Sequence, residues 1–551
     1  MLLLIALWAF IFFVFYVTGI SASRAIVRAK GGEYDVRHQS VDEVFFLGFL
    51  FIGAIACVSS IFFPIGEFAL GIVSIAALAM SYFNFPKIRH DIYRIGNAIR
   101  LMGKWELMTA LLVAFLAMTI AVSRIMPGDT GLYYVQNIQW IRHYAVVPGL
   151  GNLHGRFAFN SHFLVLSSVF AVSFKKILIF PVNAVCFLVV IFTLYREAME
   201  YLKQGKIWIG ILYGVSVVLI VRLLPERLNT PAPDLICALL VIYSFLLLLR
   251  SKLIQSKQTD AVLLNLLVFT CVSFKLSSCL LLLLLPFLWK GNVLRQLYLS
   301  VIIGAIIILP YLIRNFYLSG YLIYPFPALD IFSVDWKIPL GKVLAEKEWV
   351  ETWAKIRNLP SSEVVKMSIR EWFPRWFKAV GLIYKVLLTI NLSGLALLVI
   401  AYLKNQSLLL KLQLVLLVNL LFWFKMAPDP RFAVGFIVMQ FAFILASLLE
   451  EYKLFSTEKL RFAIIATLLV VCVQYRGYAK AFFSDSALWL MPAPYVADST
   501  VKVRQYHTNF DYQVPVIGES CYNVLLPCTP FANDSLLMRG KQLQDGFYIV
   551  K

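Results

Sequence analysis

Residues 126–161, MPGDTGLYYVQNIQWIRHYAVVPGLGNLHGRFAFNS, place an aspartate, two arginines and two histidines in a glycine-rich polar stretch between apolar runs. A carboxylate such as Asp129 can take a proton from an attacking hydroxyl. A guanidinium such as Arg156 offers a planar fork of donors that matches phosphate. Further groups of these types stand in separate short stretches: Asp234 in PERLNTPAPDLI, Lys275 in FTCVSFKLSSCL, Arg314 and Asn315 in PYLIRNFYLSGY, and Asp429 with Arg431 in KMAPDPRFAVG. Together they suit a transfer onto a hydroxyl in which a phosphate anion is held by cations.

Each residue also has a plainer reading. Asp129 can cap the helix that follows, and Asp234, behind Pro231 and Pro233, can do the same for the next span. Arg156 and Lys275 can reach headgroups; Arg431 can pair with Asp429 in its own turn. His143 and His154 read as hydrogen-bonded loop residues rather than metal ligands. The glycines permit close backbone approach to a ligand, but no Gly-Lys-Ser follows them, so this is not a Walker-type phosphate loop.

The elements that must position these groups are membrane helices. The 551-residue chain is 61% hydrophobic and 15% charged, against about 25% charged in a soluble chain. Apolar runs fall near 1–22, 44–64, 66–84, 106–125, 177–195, 207–224, 235–249, 261–274, 276–289, 297–313, 377–403, 408–424, 432–449 and 461–476. That pattern predicts an all-α integral membrane protein of about fourteen spans. The net charge of +20 sits mostly in short loops, the pattern of topology signals rather than of a nucleic-acid surface. Basic loops at 23–43 and 85–105, and turns near 196–206, 250–257, 290–295, 404–411 and 450–461, thread to the cytoplasmic side. HFLVLSSVFAVSF (162–174) is too short to span and reads as an interfacial or re-entrant helix. Both termini and the polar loops 126–176, 222–234, 314–376 and 425–431 then face outward.

Within the first outer loop, TGLYYVQNIQWIRHY reads as a helix along the membrane surface, with Leu132, Val135, Ile138 and Ile141 on one face. Tyr133, Tyr134 and Trp140, with Asn160, Asp234 and Asn315, are candidates for a sugar and acceptor cleft. Residues 1–476 form the membrane domain, and 477–551 an external segment with short β-prone runs such as YQVPVIG and GFYIVK. Cys521 and Cys528 in ESCYNVLLPCTPF are either a disulfide, as an external location allows, or two free thiols. The six other cysteines lie in apolar runs and read as core residues.

The polar loops, and the segments GDTGLYYVQNIQWIRHYAVVPGLGNLHGRFAFNS, PAPD, IRNFYLSGYLIYP and APDPRF in particular, resemble an uncharacterised group of bacterial membrane proteins related to the GT-C class of integral-membrane glycosyltransferases. The resemblance implies a multi-pass protein of the bacterial inner membrane that acts on cell-envelope glycans. The donor would be a polyprenyl-phosphate sugar, the acceptor a glycan, lipid or protein, and the active site periplasmic. Asp129, the single acid of the first outer loop, would be the general base, and Arg156, Lys275, Arg314 and Arg431 would hold the donor phosphate. A metal-independent reaction without a cofactor fits this loop better than a metal-dependent one. A flippase for lipid-linked glycans is the alternative from another class, and a glycan polymerase or ligase shares the donor chemistry.

Overall fold

The computed structural model describes residues 1–29, 39–125, 128–174, 177–253, 260–288, 292–394, 396, 399, 407–451, 455–493 and 501–550. Parts of the expected basic turns, including Lys30, Arg37, Lys257, Lys290 and Lys404, lie outside the described residues, as do Lys175 and Lys176 at the end of the first outer loop. The chain is predominantly helical and is a membrane protein. Among the described residues nine helices are long and apolar enough to cross a bilayer, and the pair Thr457–Val473 and Arg476–Ser484, bent by 53°, makes a tenth. Four shorter apolar helices, Ile207–Leu223, Ala261–Phe274, Leu276–Leu288 and Leu382–Leu392, cover the remaining apolar runs. At about 1.5 Å per residue the α-helices among them fall short of a hydrocarbon core of about 30 Å.

Two expectations are corrected. The basic stretch 85–105 is not a loop: the helix Glu67–Arg100 continues through Pro86. Lys87 pairs with Asp91 one turn later at 3.0 Å, and Tyr16 of the first helix donates to Asp91 at 2.5 Å, so charges read as solvated are partly internal. The run at 276–289 is not an α-helix but a 3₁₀ helix, Leu276–Leu288, that follows Lys275 directly. His162–Phe170, by contrast, is a nine-residue helix with every residue buried, inserted among the others and ending in a hairpin of Val172–Phe174 with Ile177–Ile179.

The first two helices, Leu2–Ala29 and Val41–Ser59, cross through Gly19 and Gly48. A Cβ at Gly19 would lie 1.7 Å from the Val44 carbonyl oxygen, and one at Gly48 1.8 Å from that of Phe15. Such contact is how small residues let membrane helices pack without polar groups. The aromatic rings of Phe15, Phe45 and Phe49 fill the space beside the crossing.

Loops assigned to one face meet at one end of the bundle. Ile65 N–H donates to the Ile141 carbonyl at 2.7 Å, Ala493 N–H to that of Val122 at 2.7 Å, and Asn183 Nδ2 to those of Thr230 and Ala232. At the other end, buried charges tie helix termini together. Glu106 joins Lys203 at 2.9 Å and also Arg461; Arg250 joins Glu43, Glu197 and Asp42.

The C-terminal segment packs back onto the first polar stretch. Its two hairpins pair Val503–His507 with Asp511–Pro515 and Leu536–Met538 with Phe547–Ile549. A disulfide joins Cys521 to Cys528. Phe547 packs edge-on against Trp140, and Thr529 Oγ1 donates to the Leu153 carbonyl at 2.7 Å. Phe510, Tyr512 and Phe547 are continuous with the main hydrophobic core.

Candidate functional site

The helix Val135–His143, expected along the membrane surface, has most of its residues buried, and it is entered through a π turn, Thr130–Tyr134, with Asp129 just before it. π turns cluster at functional positions because they re-aim side chains. Asp129 makes no capping hydrogen bond, which removes the plainer reading of this residue. Its Oδ2 instead accepts from Arg431 Nη1 at 3.0 Å, and its Oδ1 lies 4.0 Å from Arg156 Nη1.

From Asp129 the charges continue in both directions. On one side Arg156 Nε stands 3.6 Å from Glu346 Oε1, and its guanidinium lies over the Trp349 ring at 4.0 Å. On the other, Arg431 Nε is 3.6 Å from Asp429 Oδ2, which accepts from Arg357 Nη2 at 2.7 Å. Asp429 also accepts from the Arg431 backbone N–H at 3.0 Å, so the expected local pair is present. Trp353 sits between Arg431 and Arg357, with ring centroid distances of 4.8 and 4.7 Å. The result is an alternating line: Glu346, Arg156, Asp129, Arg431, Asp429, Arg357.

Asp234 and Lys275 border this line. Asp234 accepts from Arg227 at 2.6 Å and pairs with Lys275, whose ammonium lies 3.7 Å from the Phe432 ring centroid. Asp234, Lys275, Arg431 and Phe432 line one cavity. Burial opposes the charge on Arg431, but Asp234, Asp129 and Asp429 outweigh it and raise its pKa above the ordinary value. Burial raises the Glu346 carboxyl, with Arg156 pulling the other way. Tyr133 and Tyr134, whose tilted rings lie 4.4 Å apart beside Asp129, are raised chiefly by burial and stay neutral, able to donate hydrogen bonds. Five cations stand against four carboxylates here, so the cluster carries a surplus positive charge.

Residues 1–438 match the family described as a domain of unknown function, DUF8201. The chain belongs to this family. No curated protein and no solved structure matches it. The matched part of this DUF8201 chain holds every residue of the alternating line.

Not every expected site residue joins that line. Arg314, read as a phosphate ligand beside Asp129, is in a separate cavity: its Nη1 donates to Ser60 Oγ at 2.7 Å and its Nε to Asn160 Oδ1 at 3.3 Å. The last turns of the helix Val293–Ser319 aim it toward the end of the second helix rather than toward Asp129. Asn315 is fully buried and donates to the Leu322 carbonyl at 2.9 Å, holding a turn. Trp140 is buried between Tyr144 and Phe547 and does not border Asp129. Asn160 donates to the Tyr311 carbonyl at 2.9 Å. His154 is packed edge-on against Phe157, with no metal-ligand partner among the described residues.

The glycines serve the fold more directly than a ligand. At Gly131 a Cβ would meet the Tyr522 ring at 2.6 Å; at Gly149, with φ +65°, it would meet the Phe547 carbonyl oxygen at 2.1 Å. Both admit the C-terminal segment.

The residues missed on reading the sequence are Glu346, Trp349, Trp353 and Arg357, with Arg227. The first three lie on the helix Leu340–Lys355. Their spacing of three and then four puts them on one helical face. That signal stood in the stretch EKEWVETWAKIRN, but a polar helix in a long outer loop offers no apolar contrast to make one face conspicuous.

Proposed function

We propose that this chain is a glycosyltransferase of the bacterial inner membrane, with a GT-C-like bundle of about fourteen membrane segments and both termini periplasmic. It would move a sugar from a polyprenyl-phosphate donor to an acceptor hydroxyl at the periplasmic face. The observation that carries the reading is Asp129 held between Arg431 and Arg156, with four separate loops meeting around it.

In the reaction, the donor phosphate takes the guanidinium of Arg431 or Arg156 in place of a carboxylate. Arg–phosphate pairs are bidentate and charge-assisted. Asp129, released from its arginine, accepts the proton of the acceptor hydroxyl as its oxygen bonds to the anomeric carbon. The bond from that carbon to the phosphate oxygen breaks, and the phosphate leaves with the electron pair. Arginines fixed before the reaction stabilise that charge, at about 3 kcal/mol per well-placed donor. Lys275 and Arg227 add positive field, while Tyr133 and Tyr134 can donate to sugar oxygens.

The test compares membranes from cells with and without the chain, with lipid-linked sugars and surface glycans measured by mass spectrometry. Loss of a surface glycan with accumulation of one lipid-phosphate sugar in the outer leaflet supports the reading. Accumulation confined to the inner leaflet points to transport. An unchanged profile overturns it.

A further inference from the structure

The cavity around Arg314 is built differently from the alternating line. Arg314 is 4% exposed and, among the described residues, has no carboxylate partner. Its protein contacts are oxygens of Ser60 and Asn160, all neutral. A buried guanidinium without a counter-ion is costly, and the cost falls when an anion enters. Two further donors line the same cavity. Trp140 Nε1 is buried with no hydrogen-bond partner among the described residues, and Asn137, 5% exposed, lines the cavity beside it. The indole N–H can only donate, so an unsatisfied one beside an unpaired guanidinium calls for an acceptor.

Apart from Asn160 and Ser161 the rest of the lining is mostly apolar, including Ile141, Phe157 and Leu318, and Tyr144, Ala145 and Val146 are partly exposed. Leu309 and Ile313, on the turn before Arg314, and Phe62 and Phe63, just after Ser60, are exposed apolar residues. In a membrane protein these face lipid tails, which places the cavity where the tails give way to headgroups. The abundant anion at that level is a phosphate.

We infer that the cavity formed by Arg314, Trp140 and Asn137 is a second anion site, taking a phosphate monoester at the membrane surface. It is separate from the Asp129 line and independent of the reaction proposed there. Phe159 forms part of its wall and on the other side packs at 6.1 Å against Tyr133, so the two sites are neighbours across one side chain.

The experiment uses the full-length protein in detergent and follows its unfolding midpoint. Dihexanoyl phosphatidic acid and inorganic phosphate are titrated separately, against sodium chloride of matched ionic strength. The wild type should show a saturable rise with the lipid. A rise with the lipid alone assigns the site to a headgroup, and a rise with both assigns it to phosphate itself. Arg314→Gln should abolish the response. Because that variant leaves a gap in the bundle, Trp140→Phe is measured beside it; it removes the N–H while keeping an aromatic ring at the site, and should weaken binding about tenfold. No saturable rise in the wild type, or the same rise in wild type and Trp140→Phe, overturns the inference.

Discussion

Asp129 accepts a hydrogen bond from Arg431 and lies beside Arg156, and in the reaction proposed above the entering anion draws one of these arginines away. Arg431 is therefore both a clamp on Asp129 and a candidate phosphate ligand. Arg431→Lys keeps the charge but loses the planar fork. It should lower transfer tenfold to a hundredfold, roughly 1.5–3 kcal/mol for a charge-assisted bond, measured as turnover of a lipid-linked sugar by purified protein. Two other residues make pH predictions of opposite sign. Burial, with Arg156 adding to it, lowers the folded-state pKa of His154 from 6.5 to about 3. Between those values the unfolded chain binds the extra proton, so stability is lost as pH falls, by at most about 1.4 kcal/mol per pH unit. His154→Phe should flatten that limb in thermal melts. The raised Glu346 carboxyl works the other way: the folded state holds its proton longer, so stability falls as pH rises above the ordinary 4.5. Glu346→Gln should remove that fall, and melts from pH 4 to 8 showing no difference from wild type would refute it. Asp129, Asp234 and Arg431 could be picked out from sequence because each interrupts a turn between greasy runs. The carboxylates and tryptophans of the helix Leu340–Lys355 could not, since their meaning lies in what they touch.

The elements around the site depend on each other more than their order along the chain suggests. The helix Val135–His143 is clamped by the C-terminal segment: Gln136 Nε2 donates to the carbonyls of Tyr522 at 3.1 Å and Val524 at 2.8 Å, and Tyr522 N–H donates to that of Gly131 at 2.9 Å. The Cys521–Cys528 bridge brackets those contacts. For so short a loop the entropic contribution is about 2–3 kcal/mol. Cys521→Ser should thus loosen the tail and the helix Val135–His143 together, seen as faster proteolysis within 501–550 and lower activity; an unchanged cleavage pattern would show that the packing suffices alone. The tail's β-prone runs were legible in its alternating residues, and its cysteines allowed a bridge. Its docking was not, because the signals for it are glycines whose role as contacts appears only when Tyr522 and Phe547 are seen against them. The basic stretch 85–105 misled for a related reason: the Lys87–Asp91 pair, one helical turn apart, lets charged residues continue a membrane helix where the loop rule expects a break.

For the whole molecule, the bundle sorts its charges by end. One end is tied by Glu106, Arg461 and Lys203 and by Arg250 with its carboxylates; the other gathers the alternating line. Apolar period and length made the helices legible, and the basic loops gave a threading in which the same loops meet. Which runs fall short of spanning was less plain, as at 276–289, where a 3₁₀ helix rises about 2 Å per residue and covers more distance than an α-helix of equal length. Packing of the first two helices is the simplest test of the bundle. Gly48→Leu would drive a side chain into the Phe15 carbonyl and should cost several kcal/mol, at or above the roughly 1–3 kcal/mol of ordinary overpacking, read as loss of folded protein in detergent. The central claim is tested most directly by Asp129→Asn, matched with wild type for folded protein in native membranes, with the lipid-linked sugar pool and surface glycans read by mass spectrometry. The account predicts that one polyprenyl-phosphate sugar accumulates and one surface glycan disappears. An unchanged glycan profile would contradict it and leave Asp129 a structural counter-ion of Arg431.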